Sequence, residues 1–313
     1  DSEPKGFMKH VSSSREDLGM THWRPAWRTA QAAVVFAVVG AAGCAPAESP
    51  RQATVESKMV DVGGHRLETI VLGRGEPTVV FEAGFIGGIG MLRGLQAEIA
   101  EKTKAVAYER AGLGGSEDGP EPRSADQIAR ELASLLDALS IHEPVIMVGH
   151  SAGGMFARVF ATRYPERIAG IILVDPATED VYENWRLSDP AHWAGFEQEV
   201  REAHNPPGGW YGQWHALSQS IEEARAAWPL PVVPTTIFTA LVPLPAEWVL
   251  ADDARIAIWR GAHAGLSLRI PGADHVVLES VDHDGIVDHP TVSQGILNMI
   301  DEVRSATIHR RFR

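Results

Sequence analysis

The 313-residue chain has a single cysteine, no excess of positive charge, and no long apolar run beyond its first 44 residues. The lone cysteine, Cys44, excludes an internal disulfide and a zinc site built from several thiolates. The formal net charge of −13 argues against nucleic acid or an anionic membrane surface as the main partner, because both require a basic face. After Cys44 no segment approaches the roughly 20 apolar residues that cross a bilayer. What remains is the composition of a globular chain long enough for one sizeable domain.

The first part of the chain has the pattern of a bacterial export signal. A basic and aromatic start is followed by an apolar run that ends in Ala41-Ala42-Gly43-Cys44. This ending resembles the lipobox of lipoprotein precursors, in which the cysteine is lipidated, although Ala41 stands where leucine is usual. An ordinary secretory signal with a chance cysteine, or a short buried helix, is the alternative. We expect an upstream segment at 1–19, a signal peptide at 20–44, a tether at 45–54 and the folded domain at 55–313, in a protein that is periplasmic or anchored to a membrane by lipid.

From residue 55 onward, short apolar strands alternate with amphipathic helices. Gly63-Gly64 suits a two-residue hairpin turn between the first two strands. The later strands are apolar on both faces, which favours a mostly parallel, twisted sheet covered by helices on each side. Strands are predicted at 58–62, 65–72, 77–84, 105–108, 144–150, 168–174, 232–240 and 275–281, and helices at 91–102, 124–139, 251–263 and 291–303.

The alternation stops between residues 176 and 231. This stretch is rich in aromatic residues and is interrupted by Pro206-Pro207-Gly208-Gly209, so it predicts a helical cap inserted between two strands. Large aromatic side chains in a cap favour apolar acyl or alcohol groups of a substrate, but they also form small cores of their own. We assign substrate contact to Trp185, Trp210 and Trp214, with packing within the cap as the alternative for each.

The segment from Pro144 to Gly154 carries the chemistry. An apolar strand runs into Gly149-His150-Ser151-Ala152-Gly153, a G-x-S-x-G motif, and a helical pattern follows as far as Tyr164-Pro165. A serine on such a tight strand-to-helix turn is lifted out of the backbone, where a base can reach its hydroxyl. Ser151 is therefore the candidate nucleophile.

Several motifs together resemble the α/β-hydrolase superfamily. They are Phe81-Glu82-Ala83-Gly84-Phe85, Glu109-Arg110-Ala111-Gly112, the serine motif, and Leu173-Val174-Asp175-Pro176. The resemblance covers residues 59–303 and implies an α/β-hydrolase fold with a cap after the strand that ends at Asp175. Glu109 departs from the family pattern, in which Asp usually precedes the arginine.

The acid and the base of a Ser-His-Asp triad each have more than one candidate. Asp175 ends the strand after the nucleophile helix, a place where some members of the superfamily carry their acid, while Asp252 and Asp253 follow the strand after the cap. His283 follows the last strand and His275 precedes it, so His283 is the better base. The acidic and histidine-rich loop around them would also suit a metal ion, but it lacks the i, i+4 histidine pair of hydrolytic zinc sites.

These residues predict a cofactor-independent hydrolase of small to medium apolar carboxylic esters. The resemblance implies that the backbone N–H groups of Phe85 and Ala152 form the oxyanion hole. Amide or lactone hydrolysis on the same scaffold is one alternative, and acidic cap residues such as Glu222 and Glu223 would suit an amidase that holds a substrate amine. A binding protein that has kept the fold without catalysis is a second alternative.

Overall fold

The computed structural model describes residues 56–85, 88–202, 209–242 and 253–311, apart from some side chains in the cap helices and at the helix ends. The predicted signal peptide, Cys44 and the tether lie outside these residues. Within them no helix is both long enough and apolar enough to cross a membrane. The elements in chain order are β1 (Lys58–Asp61), β2 (Arg66–Leu72), β3 (Val79–Glu82), α1 (Ile89–Ala100), β4 (Ala105–Tyr108), α2 (Ala125–Ala138), β5 (Val145–His150), α3 (Ala152–Arg163), β6 (Ile168–Val174), α4 (Glu179–Ser188), α5 (Pro190–Glu202), α6 (Gly209–His215), α7 (Leu217–Ala226), β7 (Thr235–Val242), α8 (Asp253–Arg269), β8 (Asp274–Asp282) and α9 (Pro290–Arg311).

The eight strands form one sheet in the order β1-β2-β4-β3-β5-β6-β7-β8. The pairs β1–β2 and β2–β4 are antiparallel, and the pairs from β4 through β3 to β8 are parallel. The predicted hairpin turn is confirmed, with Gly63 and Gly64 at φ +101° and +116°, values that side chains rarely allow. The mostly parallel α/β sheet is therefore as the sequence predicts.

The core lies on both faces of the sheet. In β5, Val145 and Met147 point to the face covered by α2, α3 and the cap, whereas Ile146 and Val148 point to the face covered by α1 and α9. Every residue of β5 is buried. This two-sided burial explains why the strand reads as an unbroken apolar run, and each large apolar side chain buried there contributes about 1.5–3 kcal/mol.

Four helices, α4 to α7, lie between β6 and β7, in the segment for which the sequence predicts an inserted cap. We call these four helices the cap. Thr178 begins α4 as its N-cap, with its hydroxyl accepting from the backbone N–H of Val181. The N-cap of the first cap helix thus lies four residues after Val174, the last residue of β6.

Glu109, the residue that departs from the family pattern, has a defined local role. One of its carboxylate oxygens accepts the backbone N–H of Ile89 at 2.8 Å, at the start of α1. Burial raises the pKa of Glu109 above its ordinary value, against the opposing effect of that N–H. The longer side chain therefore serves to hold α1 at the end of the loop that follows β3.

Candidate active site

Ser151 stands on a strained turn between β5 and α3. Its φ is +55°, one of three positive values at non-glycine positions among the described residues. Its backbone N–H donates to Val174 O on the neighbouring strand at 3.1 Å. A Cβ on Gly153 would lie 2.1 Å from Glu82 O, so the turn closes only with glycine there. The G-x-S-x-G motif therefore presents its serine at the carboxyl edge of the sheet, as predicted.

Asp175 lies beside Ser151 at the end of the adjacent strand. It also has a positive φ, +45°, and its side chain is almost fully buried. The backbone N–H of Asp175 donates to Phe238 O at 2.8 Å, and its Oδ1 accepts the N–H of Ala240 at 2.9 Å. Both contacts with β7 fix the carboxylate so that its second oxygen is free for another partner.

That partner is His283, the residue directly after β8. Its Nδ1 lies 2.5 Å from Asp175 Oδ2. A carboxylate only accepts hydrogen bonds, so Nδ1 carries a proton, and Nε2 is the nitrogen that has the lone pair when the ring is neutral. Burial acts to raise the pKa of Asp175, but the hydrogen bond and the charge of His283 outweigh it and keep the pKa below its ordinary value. Asp175 is therefore an ionised carboxylate that orients the His283 ring through Nδ1.

The hydroxyl of Ser151 is not hydrogen-bonded to any described residue, His283 included. A Cβ on Gly84 would lie 3.5 Å from Ser151 Oγ, which places the loop after β3 directly beside the hydroxyl. Phe85 is the next residue of that loop, and Ala152 opens α3, where the first N–H groups of a helix have no partner within the helix. The oxyanion roles of Phe85 and Ala152 remain predictions at positions that suit them, and catalytic hydrogen bonds often tighten only when substrate binds.

His275, the alternative base, is engaged elsewhere. Its Nε2 lies 2.8 Å from Thr239 Oγ1, which lies 2.8 Å from Nδ1 of His263. His263 Nε2 lies 2.7 Å from the carbonyl of Pro176 and must donate to it, so Thr239 donates to Nδ1 and accepts from His275. His263 Nδ1 lies 3.8 Å from Asp175 Oδ1. Thr239 thus joins His275 to the buried His263, and burial lowers the pKa of both histidines.

Three other sequence predictions concern Asp252 or Asp253 as the acid, a metal site, and acidic cap residues that hold a substrate amine. Asp252 and the side chain of Asp253 lie outside the described residues, so their candidacy as the acid stays untested. No group of three or more His, Cys, Asp or Glu side chains in the described ranges is placed to hold a metal ion. Glu223 accepts the backbone N–H of Asp126 at 2.8 Å and Glu222 pairs with Arg225, so neither is poised for a substrate amine.

His150, which precedes Ser151, carries no predicted role from the sequence. Its Nε2 lies 2.8 Å from the backbone carbonyl of His283, and the two imidazole rings are 4.7 Å apart between centroids. Since the carbonyl accepts, His150 is protonated on Nε2, and its buried Nδ1 has no partner among the described residues. Burial, with the nearby His283, lowers the pKa of His150 from 6.5 to about 3. His150 is thus a neutral donor that ties the His283 loop to the turn at Ser151.

The three tryptophans assigned to substrate contact differ in their surroundings. Trp185 is buried and packs edge to face on Trp193 at 5.1 Å, an arrangement typical of a cap core. Trp214 is half-buried and stacks on Phe85 at 4.4 Å with an interplanar angle of 21°. The side chain of Trp210 lies outside the described residues. Trp214 is therefore the tryptophan with a described contact to the loop beside Ser151.

Comparison with known proteins identifies the fold. Residues 77–228 match the family model for the alpha/beta hydrolase fold. The epoxide hydrolase VrEH1 from Vigna radiata superposes with a TM-score of 0.63 over 79% of this chain and 98% of its own, at 17% sequence identity. The chain has the α/β-hydrolase fold.

Curated relatives are similar to this chain over part of their length. The chain is 31% identical to the uncharacterized protein YqjL of Bacillus subtilis (strain 168) over 148 residues, 47% of this chain and 55% of that one. It is 26% identical to a haloalkane dehalogenase of Sphingobium indicum over 151 residues, 47% of each chain. Across the first curated relatives that it matches, the chain covers 22% to 55% of their length. The comparisons therefore establish the α/β-hydrolase fold and leave the substrate open.

Proposed function

We propose that this α/β hydrolase cleaves carboxylic esters of small to medium apolar substrates through a Ser-His-Asp triad. The observation that carries the proposal is the 2.5 Å hydrogen bond between His283 Nδ1 and the buried carboxylate of Asp175, at the sheet edge where Ser151 is presented. It leaves His283 Nε2 as a base for the serine hydroxyl. A serine nucleophile also argues against dehalogenation and epoxide opening, since those members of the superfamily use a carboxylate nucleophile.

In the proposed mechanism His283 Nε2 removes the Ser151 proton as Oγ attacks the ester carbonyl. Asp175 stabilises the imidazolium that forms without taking its proton. The N–H groups of Phe85 and Ala152 receive the oxyanion, and the loss of one such donor typically costs about 3 kcal/mol in the barrier. The imidazolium then protonates the leaving alcohol, and water deacylates the enzyme with His283 again acting as base. No cofactor enters this scheme.

A fluorophosphonate probe and p-nitrophenyl esters test the proposal directly. The wild-type protein should be labelled on Ser151 and turn over short esters, and Ser151→Ala should lose both while its thermal unfolding stays nearly unchanged. A non-catalytic scaffold would give no labelling, and Ser151→Ala with wild-type turnover would exclude the mechanism. Parallel assays with lactones and aminoacyl anilides separate ester hydrolysis from the lactonase and amidase alternatives.

The two histidines provide a matched pair of variants. His283→Ala should reduce kcat by at least about 10³-fold, because it removes the base of the triad. His275→Ala should be mild, since His275 reaches His263, the histidine beside Asp175, only through the Thr239 hydroxyl. The reverse order would reassign the base.

We also propose that residues 20–44 direct export and that Cys44 carries a lipid. The signal-like pattern of the sequence supports this proposal. Metabolic labelling with an alkyne fatty acid in a bacterial host should mark the wild-type protein and not Cys44→Ser. Equal labelling of the two proteins would remove the lipid anchor from the proposal.

A further inference from the structure

Arg110 holds the backbone of the loop beside Ser151 through buried hydrogen bonds. Its guanidinium is buried and pairs with Glu82 at 2.7 Å. Two more of its hydrogen bonds go to consecutive backbone carbonyls of the loop, from Nη1 to Ala83 O and from Nη2 to Gly84 O, each at 2.6 Å. Charge-assisted bonds of this kind are stronger than neutral ones. Arg110 therefore fixes the backbone of the loop that carries the proposed oxyanion donor Phe85.

The remaining side of the same guanidinium is bonded to the cap. Arg110 Nε donates to Oε1 of Gln213 at 2.8 Å, across 103 positions of sequence. Gln213 lies on α6 and has no exposed surface. An arginine only donates, so the amide oxygen of Gln213 must face it, and the orientation of the amide group is fixed.

Aromatic contacts make a second connection between the same two elements. Trp214, next to Gln213, stacks on Phe85 at 4.4 Å, and Phe85 meets Phe156 edge to face at 5.8 Å. Arg110 lies over the ring of Phe156 at 5.0 Å. Helix α6 and the loop after β3 are thus joined by a polar contact between Arg110 and Gln213 and by an apolar contact between Trp214 and Phe85. Arg110 makes the first contact and packs on Phe156, which lies against Phe85.

We propose that the hydrogen bond between Arg110 and Gln213, which we call the latch, couples the position of α6 to the geometry of the loop after β3. In this view Gln213 is a positioning residue, and the inference rests on the proposed ester hydrolysis. Loss of the Gln213 oxygen leaves a buried Arg110 N–H without its acceptor. A guanidinium that moves to find another acceptor carries the carbonyls of Ala83 and Gly84 with it. Since catalysis depends on donor positions at the scale of an ångström, the rate should respond more than substrate binding does.

The test compares three variants of the full chain on a short p-nitrophenyl ester. Gln213→Met has a similar length without the acceptor and should lower kcat at least about tenfold with KM within about twofold. Gln213→Glu restores an acceptor and should return kcat to within about threefold of wild type. Gln219→Met makes the same chemical change at an exposed cap residue bonded to Glu223, and it should keep both constants. An unchanged kcat in Gln213→Met, a rise in KM alone, or no rescue by Gln213→Glu would overturn the latch.

Amide hydrogen exchange provides a readout that does not depend on turnover. Exchange of the peptide containing residues 83–95 should be at least about fivefold faster in Gln213→Met and unchanged in Gln219→Met, because removal of the latch loosens the loop. Faster exchange confined to α6 would refute the coupling. If the wild-type protein neither hydrolyses esters nor reacts with a fluorophosphonate, the proposed function fails, and the exchange result still decides whether the latch exists. Should Gln213→Met not fold, Gln213→Asn, whose amide is one methylene shorter, replaces it in both measurements.

Discussion

Replacement of His150 should make the stability of the protein less dependent on pH. The native structure holds His150 neutral, because burial, followed by the charge of His283, lowers its pKa from 6.5 to about 3. In the unfolded chain the same imidazole takes up a proton below about pH 6.5. Between the two values the unfolded state binds more protons than the native state does, so stability is lost as the pH falls.

The size of this loss of stability follows from the pKa shift of His150. Each pH unit within the window between the unfolded and native pKa values changes the free energy of unfolding by about 1.4 kcal/mol for one group. On passing from pH 7.5 to 4.5 the group is within the window for about 2 units, so His150 should remove about 3 kcal/mol of stability. The full window down to the native pKa corresponds to about 5 kcal/mol.

Urea denaturation at about pH 7.5 and 4.5 measures this loss in the wild type and in His150→Gln. Glutamine keeps an N–H donor for the carbonyl of His283 and does not titrate. The variant should therefore lose about 3 kcal/mol less than the wild type on acidification. His142→Gln, the same change at an exposed histidine, should behave as the wild type does. The contribution of His263 is common to all three proteins and cancels. An equal acid-induced loss in His150→Gln and wild type would refute a neutral, buried His150.

Two further substitutions test the site and its turn. Asp175→Asn should lower kcat by about 10⁴-fold at unchanged fold, because an amide no longer selects the imidazole tautomer with a free Nε2. The matched control is Asp180→Asn, at a half-exposed residue. Full activity in Asp175→Asn would assign the role of the acid to another carboxylate. Gly153→Ala places a methyl group 2.1 Å from Glu82 O and should cost about 3 kcal/mol or more in urea denaturation. In Gly195→Ala the added methyl group meets no atom within 4 Å, so the free energy of unfolding should rise by about 0.5–1 kcal/mol. Equal stability of the two alanine variants would contradict the close approach of Gly153 to Glu82 O at the turn that carries Ser151.

The parallel sheet could be predicted because burial on both faces leaves a clear signal in β5 and β6. Element ends are harder to predict where a local pattern conflicts with packing. The sequence favours a strand from Val232, but Val232 is exposed and β7 begins at Thr235, after Pro234. It also favours the end of α8 at His263, whereas the helix continues to Arg269 because Leu266 and Ile270 are buried against the core.

In the candidate site, the sequence leads to Ser151, Asp175 and His283 through motifs and strand ends. The supporting residues have no such signal. His263 is one histidine within a helix, and the contact between Arg110 and Gln213 joins positions that only the docking of the cap brings together. Contacts of this kind depend on tertiary packing across about a hundred residues, which local periodicity does not encode.

The geometry of the site is set by the sheet more than by its loops. The turn at Ser151 is tied by its N–H to Val174 on β6, and the turn at Asp175 is tied by its N–H to Phe238 on β7. Positive φ values at such residues cost about 1–3 kcal/mol each and persist only where the surroundings hold them.

The position of His283 depends on an irregularity in the pairing of β8 with β7. Ala240 pairs with Leu278, but Val242 pairs with Asp282, so β8 contains two more residues than β7 over the same span. A bulge redirects the strand that follows it, and here it ends at Asp282, one residue before the imidazole that bonds Asp175. β6 thus positions Ser151 at the end of β5, β7 positions Asp175 at the end of β6, and the register of β7 and β8 places His283 at the same edge.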